Sequence, residues 1–345
     1  MADAKAYAVQ SATSPVAPFR ISRREPGAND IRINITHCGI CHTDVHQAHN
    51  DFGMSTYPMV PGHEIVGTVS HVGAAVTKFK VGDFAGVGCM VDSCRKCSMC
   101  KNGLEQHCEV LTSFTYNSTE QDHVTPTQGG YSDHIVVPEA FALKIAGGQP
   151  LDRVAPLLCA GITTYSPLKR WSVGKGSRLG VMGLGGLGHV AVKLGVALGA
   201  EVAVLSGSKA KQPDAKRLGA HDFVLTSEPS SSLTGRYDVI IDTVSGDHDV
   251  NAVLSWVKPR GTVVLLGAAP KPLSIGGVSL VVGAKSLTGS SIGGVRETQD
   301  MLDFCAEHQV LADVETIAMK DVNSAYERLK KNDVRYRFTI DMGTL

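Results

Sequence analysis

Leu179-Gly180-Val181-Met182-Gly183-Leu184-Gly185-Gly186-Leu187-Gly188-His189 runs from an apolar stretch through a G-x-G-x-x-G turn into a helical pattern. That context gives each glycine a physical task. Gly183 permits the tight turn, Gly185 lets the backbone approach a pyrophosphate, and Gly188 allows the helix to pack closely. Amide N–H groups at the helix start bind the phosphates, so Gly183, Leu184, Gly185, Gly186, Leu187 and Gly188 form the expected dinucleotide cradle. The competing reading is a glycine-rich turn without a ligand. Around the turn, apolar strands alternate with helical stretches: Arg178 to Met182, His189 to Leu198, Glu201 to Leu205, Asp238 to Asp242, and Thr262 to Leu266. This alternation predicts an α/β domain with a parallel, doubly wound sheet.

The strand after the turn ends at Leu205-Ser206-Gly207-Ser208-Lys209, where a fold specific for NAD places an acid on the ribose 2′-hydroxyl. No acid stands there. Ser206, Ser208 and Lys209, with Lys211 nearby, can instead donate hydrogen bonds and positive charge to a 2′-phosphate, which a carboxylate would repel. NADP(H) is therefore the expected cofactor. A polar loop over solvent is the plainer alternative for each of these residues taken singly.

Upstream, the first 150 residues read as short strands with frequent turns, as in Asp30 to Thr36, Ile65 to Val72 and Tyr131 to Val137. Gly62, Gly67, Gly73, Gly82, Gly86 and Gly88 punctuate this β-rich part. Downstream, Val295 to His308 looks helical and Arg335 to Asp341 returns to strand alternation, so the tail is expected to rejoin the first domain. The 345 residues suit two compact units, and 43% hydrophobic against 19% charged residues fits a folded globular chain. A net charge of +0 supplies no broad field for nucleic acid or an anionic membrane. Neither partner is expected. The opening residues lack a charged-then-apolar leader, and no apolar run approaches a membrane span, so a cytoplasmic enzyme acting on small molecules is expected.

Nine cysteines are present, and Cys94, Cys97, Cys100 and Cys108 crowd one short segment. In a reducing compartment such clustering points to metal rather than disulfides. Four thiolates close a tetrahedral zinc site and leave no vacant position, which makes this ion structural. Lys96 and Lys101 can offset part of its negative charge. Other metal-type residues are scattered: Cys41 with Asp44 and His46 nearby, the Gly62-His63-Glu64 turn, and Cys159 far downstream. Spacing does not join them. Read alone, Cys159 is more often a buried packing residue than a ligand, and His63 more often a structural hydrogen-bonder.

Several segments together resemble one family, the zinc-containing medium-chain alcohol dehydrogenases, and within it the cinnamyl alcohol dehydrogenase group. They are Cys38-Gly39-Ile40-Cys41-His42-Thr43-Asp44-Val45-His46, Pro61-Gly62-His63-Glu64, the four-cysteine lobe, Leu158-Cys159-Ala160-Gly161-Ile162-Thr163, and the glycine-rich turn. Thr115-Tyr116-Asn117 and Gly129-Gly130-Tyr131 look like the cinnamyl branch. The resemblance covers essentially the whole chain. It implies a GroES-like β-rich catalytic domain over 1–154, completed by 293–345, and a Rossmann domain over 155–292.

It also implies that Cys41, His63 and Cys159 hold a catalytic zinc, with Glu64 able to coordinate when water or substrate leaves, for two zinc ions per chain in all. Thr43 would accept the alcohol proton and His46 pass it to solvent, with Asp44 either orienting a zinc ligand or playing a purely structural part. Thr163 would line the nicotinamide site, Ser290 and Ile292 would contact the cofactor, and Phe114 and Ile292 would form walls of an apolar substrate pocket. Such walls separate hydrophobic aldehydes by only about 1–3 kcal/mol, so broad use of aromatic and medium-chain aldehydes follows. Many plant lignin-pathway members carry Trp where Phe114 stands, which argues against a dedicated monolignol role. The expected reaction interconverts a primary alcohol and its aldehyde with NADP(H), reduction favoured. A specialised carbonyl, enal or iminium reductase, a polyol dehydrogenase, and a non-enzymatic nucleotide-binding protein are the alternatives. By analogy with the resembling enzymes the chain forms a homodimer.

Overall fold

Val- and Leu-rich runs bounded by glycines build the second of two units in the computed structural model, which describes residues 2–228, 233–267 and 271–345. This unit comprises Ala160–Ile292 and Glu307–Val310. Its sheet has six strands in the spatial order Asp222–Leu225, Glu201–Ser206, Arg178–Met182, Tyr237–Asp242, Val257–Leu265 and Ser286–Gly289. Every neighbouring pair is parallel. The chain order reverses between Arg178–Met182 and Tyr237–Asp242, the switch point at which such sheets bind nucleotides beyond the carboxyl ends of their strands. Leu179, Val181, Val202, Val204, Ile240, Ile241, Val263 and Val264 are buried, as continuous apolar strands covered on both faces must be.

The other unit comprises Met1–Cys159, Gly293–Ala306 and Leu311–Leu345. Its main sheet follows the order Val314–Ala318, Arg337–Asp341, Asp30–Ile40, Ile65–Val72, Phe84–Val87 and Leu143–Lys144, with His134–Pro138 also paired to Asp30–Ile40. Arg337–Asp341 lies antiparallel to Asp30–Ile40, so the end of the chain completes the sheet begun near its start. Two short hairpin-like pairs flank it: Ala2–Ala8 with Ala17–Arg23, and Met90–Ser93 with Thr112–Phe114. Among the described residues no helix is long and apolar enough to cross a membrane.

Three boundaries differ from the sequence reading. The first unit extends to Cys159 rather than residue 154, because the turn Ala155–Leu158 buries Ala155, Leu157 and Leu158 against the strands of that unit. Glu307–Val310 group with the second unit instead of the tail. The strand read from Tyr131 begins at His134, since Tyr131 N–H is drawn to the Pro61 carbonyl at 3.0 Å and not into the sheet ladder.

Candidate active site

The long strand Asp30–Ile40 delivers Cys41 to the start of the helix His42–Ala48. His63 and Glu64 immediately precede the neighbouring strand Ile65–Val72, and Cys159 follows the buried turn Ala155–Leu158. All four side chains are buried, and their ligand-type atoms lie within 4.8 Å of one another. Cys41 Sγ and Cys159 Sγ are 3.9 Å apart and unbonded. Two thiolates held at ~2.3 Å on one tetrahedral ion stand about 3.8 Å apart, so the pair is spaced for zinc.

Asp44 organises this centre. Fully buried, its carboxylate accepts from Cys41 N–H at 2.8 Å, Gly62 N–H at 3.0 Å and His63 Nδ1 at 3.1 Å. A carboxylate only accepts, so His63 Nδ1 carries the proton and Nε2 is left as the ligand atom. Gly62 makes the turn possible: its φ is +102°, and a Cβ there would lie 2.7 Å from Tyr131 and 2.8 Å from Cys38 Sγ. Glu64 is held through Oε1 by the buried guanidinium of Arg337, whereas Oε2 has no hydrogen-bond partner among the described residues. A buried carboxylate oxygen left unpaired is costly, and a cation at the centre would satisfy it.

The electrostatics agree with that donor set. The hydrogen bond with Cys159 pulls the Cys41 thiol well below its ordinary pKa, and the same bond pushes Cys159 up. A divalent cation at this centre would favour the thiolate form of both. Burial pushes Glu64 up to about 7 against the pull of Arg337. Thr43 Oγ1 lies 3.6 Å from Cys41 Sγ, at the edge of the cluster. Three residues on, His46 Nδ1 bonds Asp51 at 2.7 Å, and its ring stacks obliquely on Phe52 with centroids 5.3 Å apart.

The second cysteine cluster closes around one point, with Cys94, Cys97, Cys100 and Cys108 sulfurs all within 4.8 Å. Cys97 Sγ lies 3.4 Å from Cys100 Sγ and 3.9 Å from Cys108 Sγ. Backbone N–H groups of Cys97 and Glu109 point at Cys94 Sγ and Cys97 Sγ, which favours thiolates. Cys108 is drawn down to about 6, backbone donors outweighing its burial. Four sulfurs and no carboxylate fit a closed zinc site. Lys96 and Lys101 stand exposed on the same loop.

In the other unit, Gly183 adopts φ +85° directly after the strand Arg178–Met182, and a Cβ at Gly188 would lie 2.1 Å from the Gly183 carbonyl oxygen. Among the described residues nothing stands within 4 Å of a would-be Cβ at Gly185, so the backbone there is open to a close approach. Lys211 Nζ bonds the Leu184 carbonyl at 2.9 Å and ties the next loop to this turn. Ser206 is buried and its hydroxyl lies 3.3 Å from Ser208 N–H, whereas Ser208 and Lys209 are exposed. Ser290 N–H bonds the Leu265 carbonyl at 3.2 Å beyond the edge strand, Ile292 follows at φ +41°, and Thr163 sits in the first turn of the helix Ala160–Arg170.

Two family profiles match the chain. Residues 27–147 match the family profile of the alcohol dehydrogenase GroES-like domain, and residues 186–307 that of the zinc-binding dehydrogenases. The chain is 49% identical to the NADP-dependent alcohol dehydrogenase C of Mycobacterium tuberculosis, each covered over 100% of its length. It is 50% identical to cinnamyl alcohol dehydrogenase 2 of Arabidopsis thaliana over 98% of this chain and 91% of that one. A cinnamyl alcohol dehydrogenase of Sorghum bicolor superposes with a TM-score of 0.96 at 44% identity, covering 99% of this chain and 98% of that one. A CAD from Helicobacter pylori complexed with NADP(H) gives a TM-score of 0.92 at 39% identity, with 99% and 98% covered. The chain belongs to the zinc-binding alcohol dehydrogenases.

For this alcohol dehydrogenase, two site residues lie outside the sequence reading. Arg337, the partner of Glu64, is 273 positions away along the chain, and nothing local marks it. Asp51, the partner of His46, stands five residues on, a spacing that a closer reading of the helix end would have reached. Phe114, assigned to the pocket wall, is 44% exposed on the short strand Thr112–Phe114. Phe52 is the aromatic side chain that packs on His46, and Met54 is exposed just beyond it.

Proposed function

We propose that this dehydrogenase interconverts primary alcohols and aldehydes, aromatic of the cinnamyl type or medium-chain aliphatic, by hydride exchange with NADP(H), with aldehyde reduction favoured. The observation that carries the reading is the buried Cys41, His63, Glu64 and Cys159 cluster with a hydroxyl at its edge. When bound, zinc supplies a Lewis acid at this cluster and NADP(H) the hydride donor or acceptor. The residues do the rest. Asp44 fixes the His63 tautomer, and Arg337 holds Glu64 in place through one carboxylate oxygen. Thr43 both donates and accepts through one hydroxyl, so it can pass the reacting proton outward. His46, half-exposed and oriented by Asp51, can exchange it with solvent.

The cofactor preference rests on an absence of acids and an excess of cations at the end of the strand Glu201–Ser206. Ser208 and Lys209 are free to face a 2′-phosphate, with Ser206 shaping the loop from inside and Lys211 bracing it on the turn. Exposed Val278, Val281 and Val282 beside the edge strand Ser286–Gly289 support a homodimer joined along that edge. Nine free thiols suit a cytoplasmic, reducing location. A panel of aldehydes and alcohols, followed by NADPH and NADH absorbance with and without a chelator, tests the reading. Chelator-sensitive aldehyde reduction with NADPH is expected, and activity indifferent to chelator would remove the metal from the chemistry.

A further inference from the structure

Asp242 ends the strand Tyr237–Asp242 next to the glycine-rich turn, and its side chain is fully buried. One oxygen accepts from Val244 N–H at 3.0 Å, and the other lies 2.7 Å from His248 Nε2. The opposite ring nitrogen, Nδ1, lies 2.8 Å from the Gly246 carbonyl oxygen. Both partners of the imidazole are thus acceptors. A neutral ring carries one N–H and can satisfy only one of them, whereas the imidazolium satisfies both.

The loop pinned in this way bears on the nucleotide turn. Thr243 gives its N–H and its hydroxyl to the Met182 carbonyl, at 3.0 and 2.8 Å. A Cβ on Gly183 would meet Thr243 Oγ1 at 2.8 Å and Val244 Cγ2 at 3.0 Å. From the other side, a Cβ on Gly267 would stand 2.2 Å from the Val244 carbonyl oxygen. Thr243 and Val244 thus lie close against the backbone at both Gly183 and Gly267, which couples the loop to the turn. Asp249, next to His248, caps the helix Val250–Trp256 through Asn251 and Ala252 N–H, which anchors the far end of the loop.

We propose that Asp242 and His248 are positioning residues for the dinucleotide turn, His248 acting as an imidazolium clamp whose loss of a proton loosens NADP(H). The proposal rests on the cofactor reading above. Among the described residues the charges facing the ring are the carboxylates of Asp242 and Asp249; Asp247 on the same loop is paired with Lys271. Burial disfavours the imidazolium, but the Gly246 carbonyl and these carboxylates outweigh it and raise His248 above the ordinary histidine value. A raised value means that the clamp is complete below the ordinary range and is lost as pH rises through the folded pKa.

Fluorescence titration of the zinc-loaded protein with NADPH and, in parallel, NADH tests this from about pH 6 to about pH 9. NADH lacks the 2′-phosphate, so its own titration cannot mimic the effect. In the unaltered protein both Kd values should rise with pH by about threefold to tenfold. His248→Gln should bind both cofactors more weakly by the same factor at low pH and lose that pH dependence. Its KM for NADPH should rise while kcat at saturating cofactor holds within about twofold. If Asp242→Asn folds, it should behave alike. A lowered melting temperature with unchanged Kd and an unchanged pH profile would overturn the clamp. Failure of the unaltered protein to bind either dinucleotide would overturn the cofactor reading itself, a result distinguishable from the first.

Discussion

At the scale of single residues, two side chains decide chemistry and specificity separately. Cys159 contributes a thiolate from a buried turn, and replacing it with Ser keeps its volume while weakening a soft ligand. Cys159→Ser should therefore lower aldehyde reduction by about a thousandfold or more, with the circular dichroism spectrum and melting temperature nearly unchanged. Lys209 stands exposed beside the expected 2′-phosphate, and Lys209→Ala should raise KM for NADPH about tenfold and leave KM for NADH alone. An unchanged NADPH-to-NADH ratio would shift the preference to NAD. Residues of these kinds differ in how far the sequence reveals them. The glycine-rich turn and the four-cysteine lobe are legible because their chemistry is local, each complete within a few turns of chain. Cys41 and Cys159 are 118 positions apart, and only resemblance to a family joined them before the fold brought their sulfurs together.

At the scale of elements, the four-cysteine loop is a segment with little regular structure of its own. It holds only the short helix Ser98–Lys101 and one turn at Glu105–His107. A metal there substitutes for a core, so Cys100→Ser should lower the melting temperature and increase protease cleavage between residues 94 and 108. The loss is expected to reach several kcal/mol if the ion is released, with turnover of the remaining folded fraction preserved. Equal loss of turnover per folded molecule would give this lobe a catalytic part. The parallel strands were legible from their apolar runs, because burial on both faces demands them. Element ends were less so. The extension of the first unit to Cys159 depends on burial of Ala155–Leu158, and periodicity carries no record of which sheet a short apolar turn will cover.

At the scale of the whole molecule, the chain divides its metal chemistry between one closed site and one with a further carboxylate that Arg337 holds. Glu64, shared between Arg337 and the centre, is the feature that sets the second site apart. An ion held by four sulfurs should resist a chelator longer than one that must leave room for substrate. Metal analysis during timed chelation, with NADPH-dependent aldehyde reduction measured on the same samples, tests the central claim most directly. The account predicts about two zinc ions per chain, the first lost in step with activity while the fold persists, and the second lost only as the protein unfolds. A single zinc whose removal leaves reduction intact would contradict it.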